Sequence, residues 1–206
     1  MAEVELIADA SDETVARWLY RRLADALERA EGPIAICLPG GSTPTPILEQ
    51  LTGSPLDWRR ITVWPGDDRM VPPDHPASNA GQLRLLLEPV GAEVVTLTIM
   101  EEVPHFALTW LGMGTDGHIA SLFPSADPDP ADPQPIRQIT PDPLPPEAPF
   151  DRITLTIPAL LNADEVIFVI RGEEKQVIFE AAMMGEIDLP VTRLLEAATQ
   201  KVTCFA

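Results

Sequence analysis

Short apolar runs that stop abruptly at glycine or proline constrain this chain most. Phe106 to Leu111 is one, ending at Gly112, and Pro33 to Leu38 is another, ending in Pro39-Gly40-Gly41. Ile61 to Trp64, Val166 to Ile170 and Val202 to Phe205 have the same character. Such runs lack the polar/apolar alternation of a strand with one wet face, so they read as strands buried on both faces. Helical patterns lie between them. Ser11 is placed to cap a helix whose first turn holds Asp12 and Glu13, followed by Val15, Trp18, Leu19, Leu23, Ala26 and Leu27 at helical spacing. Pro44 starts a second helix at the favoured first position. Further helices are expected over Ala77 to Leu87, Glu173 to Met184 and Pro190 to Ala198, with a strand over Val94 to Ile99. Strands alternating with helices predict an α/β, Rossmann-like fold: one mainly parallel sheet with helices on both faces. Between Pro124 and Pro149, 10 of 26 residues are proline, so residues 124–149 are expected to form a loop-like excursion without regular structure. The whole chain, 1–206, is expected to form one domain.

Three loops carry candidate chemistry. In Trp110-Leu-Gly-Met-Gly-Thr-Asp-Gly-His118, an apolar strand runs into Gly112, Gly114 and Gly117 with Asp116 and His118 among them. Loops at the carboxyl ends of strands are where open α/β sheets bind ligands, and imidazole suits proton transfer near neutral pH. The trio formally matches a dinucleotide fingerprint. That fingerprint, however, requires a helix running straight on, and Pro124 with the prolines after it precludes a long one. Gly40-Gly41-Ser42-Thr43-Pro44 is either an anion cradle at a helix start or an ordinary turn capped by Ser42 or Thr43. Pro65 to Pro76 reads as a polar loop, holding Asp67, Asp68, Arg69 and His75, with Ser78 and Asn79 just beyond. These are either solvated charges or site residues, and they lack the spacing of a metal site.

The charge balance narrows the partners. With 32 acidic against 14 basic residues, the net charge is −18, which excludes nucleic acid and anionic membrane as partners. A small anion remains compatible, because a local cation cluster overrides the global field at short range. The opening segment has neither the basic nor the apolar block of a signal peptide, and no apolar run approaches membrane-spanning length. A cytoplasmic protein is expected. Cys37 and Cys204 each lie in an apolar run and read as buried, reduced thiols that cannot supply a zinc site.

Taken together, the three loops resemble those of the 6-phosphogluconolactonases. The resemblance rests on Leu38-Pro-Gly-Gly-Ser-Thr-Pro44, on Gly66-Asp-Asp-Arg-Met-Val-Pro72 with His75 and Ser78-Asn79, and on Leu111 to Pro124. It continues through Arg152 to Leu161, Gly172-Glu-Glu-Lys175 and Leu189-Pro-Val191. It implies an isomerase/deaminase-type fold and hydrolysis of 6-phospho-glucono-1,5-lactone to 6-phosphogluconate in the oxidative pentose phosphate pathway. No metal or other cofactor is implied, and the protein would be a monomer or weak homodimer. By the same resemblance His118 activates water and Asp116 orients it or the substrate. Gly40, Gly41, Ser42, Thr43, Asp67, Arg69, Arg152 and Lys175 would bind the phosphosugar. The chain departs from the family pattern twice. Only Met100 to His105 separates two strands where the family has a helix, and Asp142 stands near an expected lysine. Two rival functions are an isomerase or deaminase on the same fold, and a catalytically weakened sugar-phosphate-binding protein.

Overall fold

The computed structural model describes residues 3–146 and 148–206. Glu147, inside the expected excursion, and Met1 and Ala2, at the start of the expected domain, lie outside the described residues. In chain order the elements are β1 (Val4–Ile7), α1 (Asp12–Arg29), β2 (Ile34–Leu38), α2 (Pro44–Thr52), β3 (Ile61–Pro65), β4 (Asp67–Arg69), α3 (Asn79–Leu87) and β5 (Glu93–Val94). There follow β6 (Phe106–Leu111), β7 (Ile136–Ile139), β8 (Arg152–Leu155), α4 (Ile157–Leu160), β9 (Glu165–Val169), α5 (Glu173–Met183), α6 (Pro190–Ala197) and β10 (Lys201–Phe205).

Seven strands form one sheet in the order β1-β10-β9-β6-β2-β3-β5, and every neighbouring pair is parallel. The apolar runs sit at its centre because both faces are covered. Along β6, Trp110 enters the core beneath α1 to α3, while Leu111 enters the core beneath α5 and α6. In β9, Ile167 and Val169 go to the first core and Val166 and Phe168 to the second. Ser11 caps α1 as expected, accepting a hydrogen bond from the Thr14 amide at 3.2 Å.

Three local expectations change. Asp67 to Arg69, expected in a loop, forms β4, and Ile136 to Ile139, inside the proline-rich excursion, forms β7. Both pair antiparallel with β8 to make a second, three-stranded sheet. Each is a short proline-free stretch whose backbone partner comes from far along the chain, so local composition does not reveal it. Ile136, Ile153 and Leu155 of this sheet join the second core. The strand expected over Val94 to Ile99 is cut to Glu93–Val94, and a turn closed from Thr98 to Glu101 follows. No helix lies between β5 and β6. Val4 to Ile7 adds an edge strand, too short and mixed to show a period of its own.

Asp68 ties the second sheet to α3. Its side chain is 7% exposed. Its carboxylate accepts from the amides of Asn79 (2.6 Å), Ala80 (3.1 Å) and Arg69 (2.8 Å) and from Ser78 Oγ (3.0 Å). Two of these amides are unpaired donors at a helix N-terminus, where a carboxylate also meets the positive end of the dipole. In Asp68→Asn, an amide group replaces one acceptor oxygen and faces donors. A loss of about 2–3 kcal/mol is expected in urea unfolding, and a change below 0.5 kcal/mol would show that the cluster is held by other contacts.

Candidate active site

The chain steps from β2 outward to β3 and β5, then returns to the other side of β2 as β6. This reversal leaves a crevice between the carboxyl ends of β2 and β6, the position where open α/β sheets bind ligands. The glycine turn Pro39–Pro44 leaves β2 there, and Gly112 to His118 leaves β6. Asp67 and Arg69 arrive from β4, and Arg171 and Lys175 follow β9. Together these groups line a cavity of about 300 Å³.

The glycine turn is shaped by a close approach. A Cβ on Gly40 would lie 2.0 Å from Asn79 Oδ1, so only glycine lets the turn pack on α3. Gly41 has φ of 102°, in the left-handed region. Neither Ser42 nor Thr43 spends its hydroxyl on capping α2. Thr43 occupies the N-cap position without a side-chain hydrogen bond, and Thr45 Oγ1 bonds the Gly41 carbonyl instead. Among the described residues neither hydroxyl has a hydrogen-bond partner, so the turn is not the side-chain-capped one.

Asn79, absent from the expected site residues, connects this turn to the basic side. It donates to the Asp67 carbonyl at 2.9 Å and to Asp67 Oδ1 at 3.2 Å, and accepts from Arg69 Nη1 at 2.9 Å. Arg69 Nη1 also donates to the Ala77 carbonyl at 3.0 Å. Arg69 Nε is buried with no partner among the described residues. Asp67 Oδ2 accepts from Ser121 Oγ at 2.5 Å. Burial pushes the Asp67 carboxyl above the usual range, against the opposing pull of Ser121 and Arg69.

His118 Nδ1 lies 2.5 Å from Asp116 Oδ1, which also accepts from the His118 amide at 3.1 Å. An ionised carboxylate only accepts, so Nδ1 carries the proton and Nε2 is left as the basic nitrogen. The Phe123 ring packs on the imidazole, with centroids 4.8 Å apart. Gly114 makes room for the pair: a Cβ there would meet His118 Nδ1 at 2.3 Å and Asp116 Oδ1 at 2.7 Å. Gly117, with φ of 75°, lies against Leu189, and its carbonyl accepts the Val191 amide at 3.1 Å. The loop is thereby clamped onto the start of α6.

The structure brings Gly40, Gly41, Ser42, Thr43, Asp67, Arg69, His118 and Lys175 into one cavity lining. Asp116 stands behind His118. Arg152 stays apart: it is 3% exposed and donates to the carbonyls of Phe150 and Ala148, so its charge is spent on its own loop. Burial and the neighbouring Arg69 lower its pKa. Asp142 is exposed and does not line the cavity. Arg171, which sequence reasoning missed, does line it. Both cysteines are buried free thiols, and burial pushes Cys204 up to about 12. Among the described residues, no group of three or more His, Cys, Asp or Glu is arranged to hold a metal ion, and no helix is long and apolar enough to cross a membrane.

The family model for glucosamine-6-phosphate isomerases/6-phosphogluconolactonase matches residues 8–93 and 89–204. The chain belongs to this family. It is 36% identical to a 6-phosphogluconolactonase of Pseudomonas aeruginosa, over 88% of this chain and 87% of that protein. It is 32% identical to one of Pseudomonas putida, over 94% and 89%. A crystal structure of 6-phosphogluconolactonase from Thermotoga maritima superposes with a TM-score of 0.82 at 26% identity, covering 100% of this chain and 99% of that one. The family's matched segments take in every loop of the cavity.

The hydrogen bond from His118 holds the Asp116 carboxyl below the usual carboxylate range. The sign of the linkage follows. A depressed folded pKa contributes stability that is present above the unfolded value, about 3.9, and lost as pH falls through the lower folded value. An NMR titration of the Asp116 carboxyl is expected to show a midpoint below the ordinary one, returning to it in His118→Asn. Identical midpoints in the two proteins would mean that the pair does not persist in solution.

Proposed function

We infer that this chain hydrolyses 6-phospho-glucono-1,5-lactone to 6-phosphogluconate, a step of the oxidative pentose phosphate pathway. It would act in the cytoplasm as a single domain, monomeric or weakly dimeric, without metal or cofactor. The observation that carries this reading is a histidine with its Nδ1 proton held by a carboxylate, on the wall of a cavity that also presents Arg69 and Lys175. Kinship with proteins named 6-phosphogluconolactonase supports the choice of substrate.

The roles follow from chemistry. A lactone is an activated ester, so a base and a positioned water suffice. His118 Nε2 takes a proton as the water oxygen attacks C1, and the carbonyl electrons move onto oxygen. When that tetrahedral oxyanion collapses, the bond from C1 to the ring oxygen breaks. The ring oxygen then takes the proton from the imidazolium and leaves as the hydroxyl of the open-chain acid. Asp116 stabilises the transient imidazolium through Nδ1–H and fixes the ring's orientation. The glycine turn's amides and the Ser42 and Thr43 hydroxyls, with Arg69 and Lys175, hold the phosphosugar and place the carbonyl at His118. Arg152 serves as a positioning residue for the strand that pairs with β4, since β8 carries it opposite Arg69.

The deciding experiment is a lactone hydrolysis assay near pH 6.5, where spontaneous opening is slower, with EDTA present throughout. The unaltered protein is expected to turn over the lactone. His118→Ala is expected to lose about 10²–10⁴-fold in kcat, or about 3–5 kcal/mol in the barrier, while the protein remains folded. Near-normal turnover by that variant sinks the role of His118.

Arg69→Ala and Lys175→Ala are expected to raise KM for the phosphorylated lactone far more than for gluconolactone. Each charge-assisted contact to phosphate contributes about 1.5–3 kcal/mol. Equal losses on both substrates would show that these side chains do not hold the phosphate.

A further inference from the structure

The mechanism above leaves one cation of the cavity unused. Arg171 follows β9 and precedes Gly172, whose φ of 92° turns the chain into α5. Lys175 stands in the first turn of that helix, and both side chains line the cavity. The only hydrogen bond of the Arg171 guanidinium among the described residues runs from Nη2 to Asp12 Oδ1, at 3.1 Å. A guanidinium carries five N–H donors in a planar fork suited to phosphate. Three other arginines are more fully engaged. Arg69 bonds Asn79 and Ala77, and Arg152 bonds Phe150 and Ala148. Arg193, on α6, is held by Asp188, Asp127 and the Pro128 carbonyl.

The tether to Asp12 is a weak one. The two side chains are 33% and 38% exposed, and partly exposed pairs contribute little. A phosphate dianion offers more acceptors and more charge than one carboxylate oxygen. The chain has only 14 basic residues against 32 acidic ones, yet Arg69, Arg171 and Lys175 all face one cavity of about 300 Å³, where Asp67 is the single lining carboxylate.

The geometry points to Arg171 as a substrate-contacting specificity residue: with Lys175 it grips the phosphate of the phosphosugar, leaving Asp12 when substrate arrives. This rests on the lactonase reading for the identity of the ligand. Arg171 and Lys175 leave the same strand-to-helix turn, so an anion held by Lys175 is within reach of the longer guanidinium. Asp12 is the first residue of α1, and it acts as a resting partner that competes with the phosphate.

The test measures binding by calorimetry, with 6-phosphogluconate, inorganic phosphate and gluconate as probes. Arg171→Gln is expected to weaken 6-phosphogluconate and phosphate about tenfold, with gluconate unchanged and Arg171→Lys recovering part of the loss. Asp12→Asn removes the competitor, so it is expected to tighten 6-phosphogluconate binding severalfold, and to change nothing in the Arg171→Gln background. Two results would overturn the assignment: Arg171→Gln binding 6-phosphogluconate as well as the unaltered protein, or Asp12→Asn weakening it as Arg171→Gln does. The latter would make the pair a purely structural tie. Because the readout is binding, it decides the role of Arg171 whether or not the lactone turns over. A protein that binds 6-phosphogluconate through Arg171 but leaves the lactone intact would refute the reaction and not this contact.

Discussion

Parallel pairing of all seven main-sheet strands is the constraint on which the rest depends. It sends every strand's carboxyl end to one rim, and the reversal of strand order between β2 and β6 opens a crevice there. Four separate segments, following β2, β3, β6 and β9, deliver side chains to that crevice.

The loops are then fixed by close contacts that only glycine permits. Gly40 yields to Asn79, and Gly114 yields to the Asp116–His118 pair. In each case the absent Cβ makes room for a polar group, so a backbone turn and a functional side chain share one small volume. Asn79 then links the two halves of the site: its side chain touches the glycine turn, Asp67 and Arg69. Asp68, buried beneath, holds Asn79 in place through the start of α3.

Electrostatics works against the overall charge. In a chain of net charge −18, Arg69, Arg171 and Lys175 line one cavity, while other arginines are paired with carboxylates elsewhere. Arg137 is held by Asp132, and Arg193 by Asp188 and Asp127, and neither arginine lines the cavity. The second of these pins the proline-rich segment to α6 and so steadies the wall behind Gly117. Among the described residues, the cations of the cavity lining whose donors are least used are Lys175 and Arg171.

Local pattern alone determined the central strands and the main helices. Fully apolar runs ending at glycine need two covered faces, and Ser11 and Pro44 carry helix-start chemistry in the residue itself. The same holds for His118 and the glycine turn, where spacing within a few residues already makes the geometry. Only the tertiary structure decided the rest. β4 and β7 exist because β8 supplies their hydrogen-bond partners, and a proline-rich or acidic stretch does not announce a distant partner. Asp68 reads as a surface charge until α3 is laid over it. Arg152 matches the pattern of a site residue, yet burial turns its guanidinium toward its own loop. Arg171 falls just outside the Gly172-Glu-Glu-Lys175 stretch that carries the resemblance. It lines the cavity because β9 lies beside β6 in the sheet, a neighbour relation set by packing and not by order along the chain.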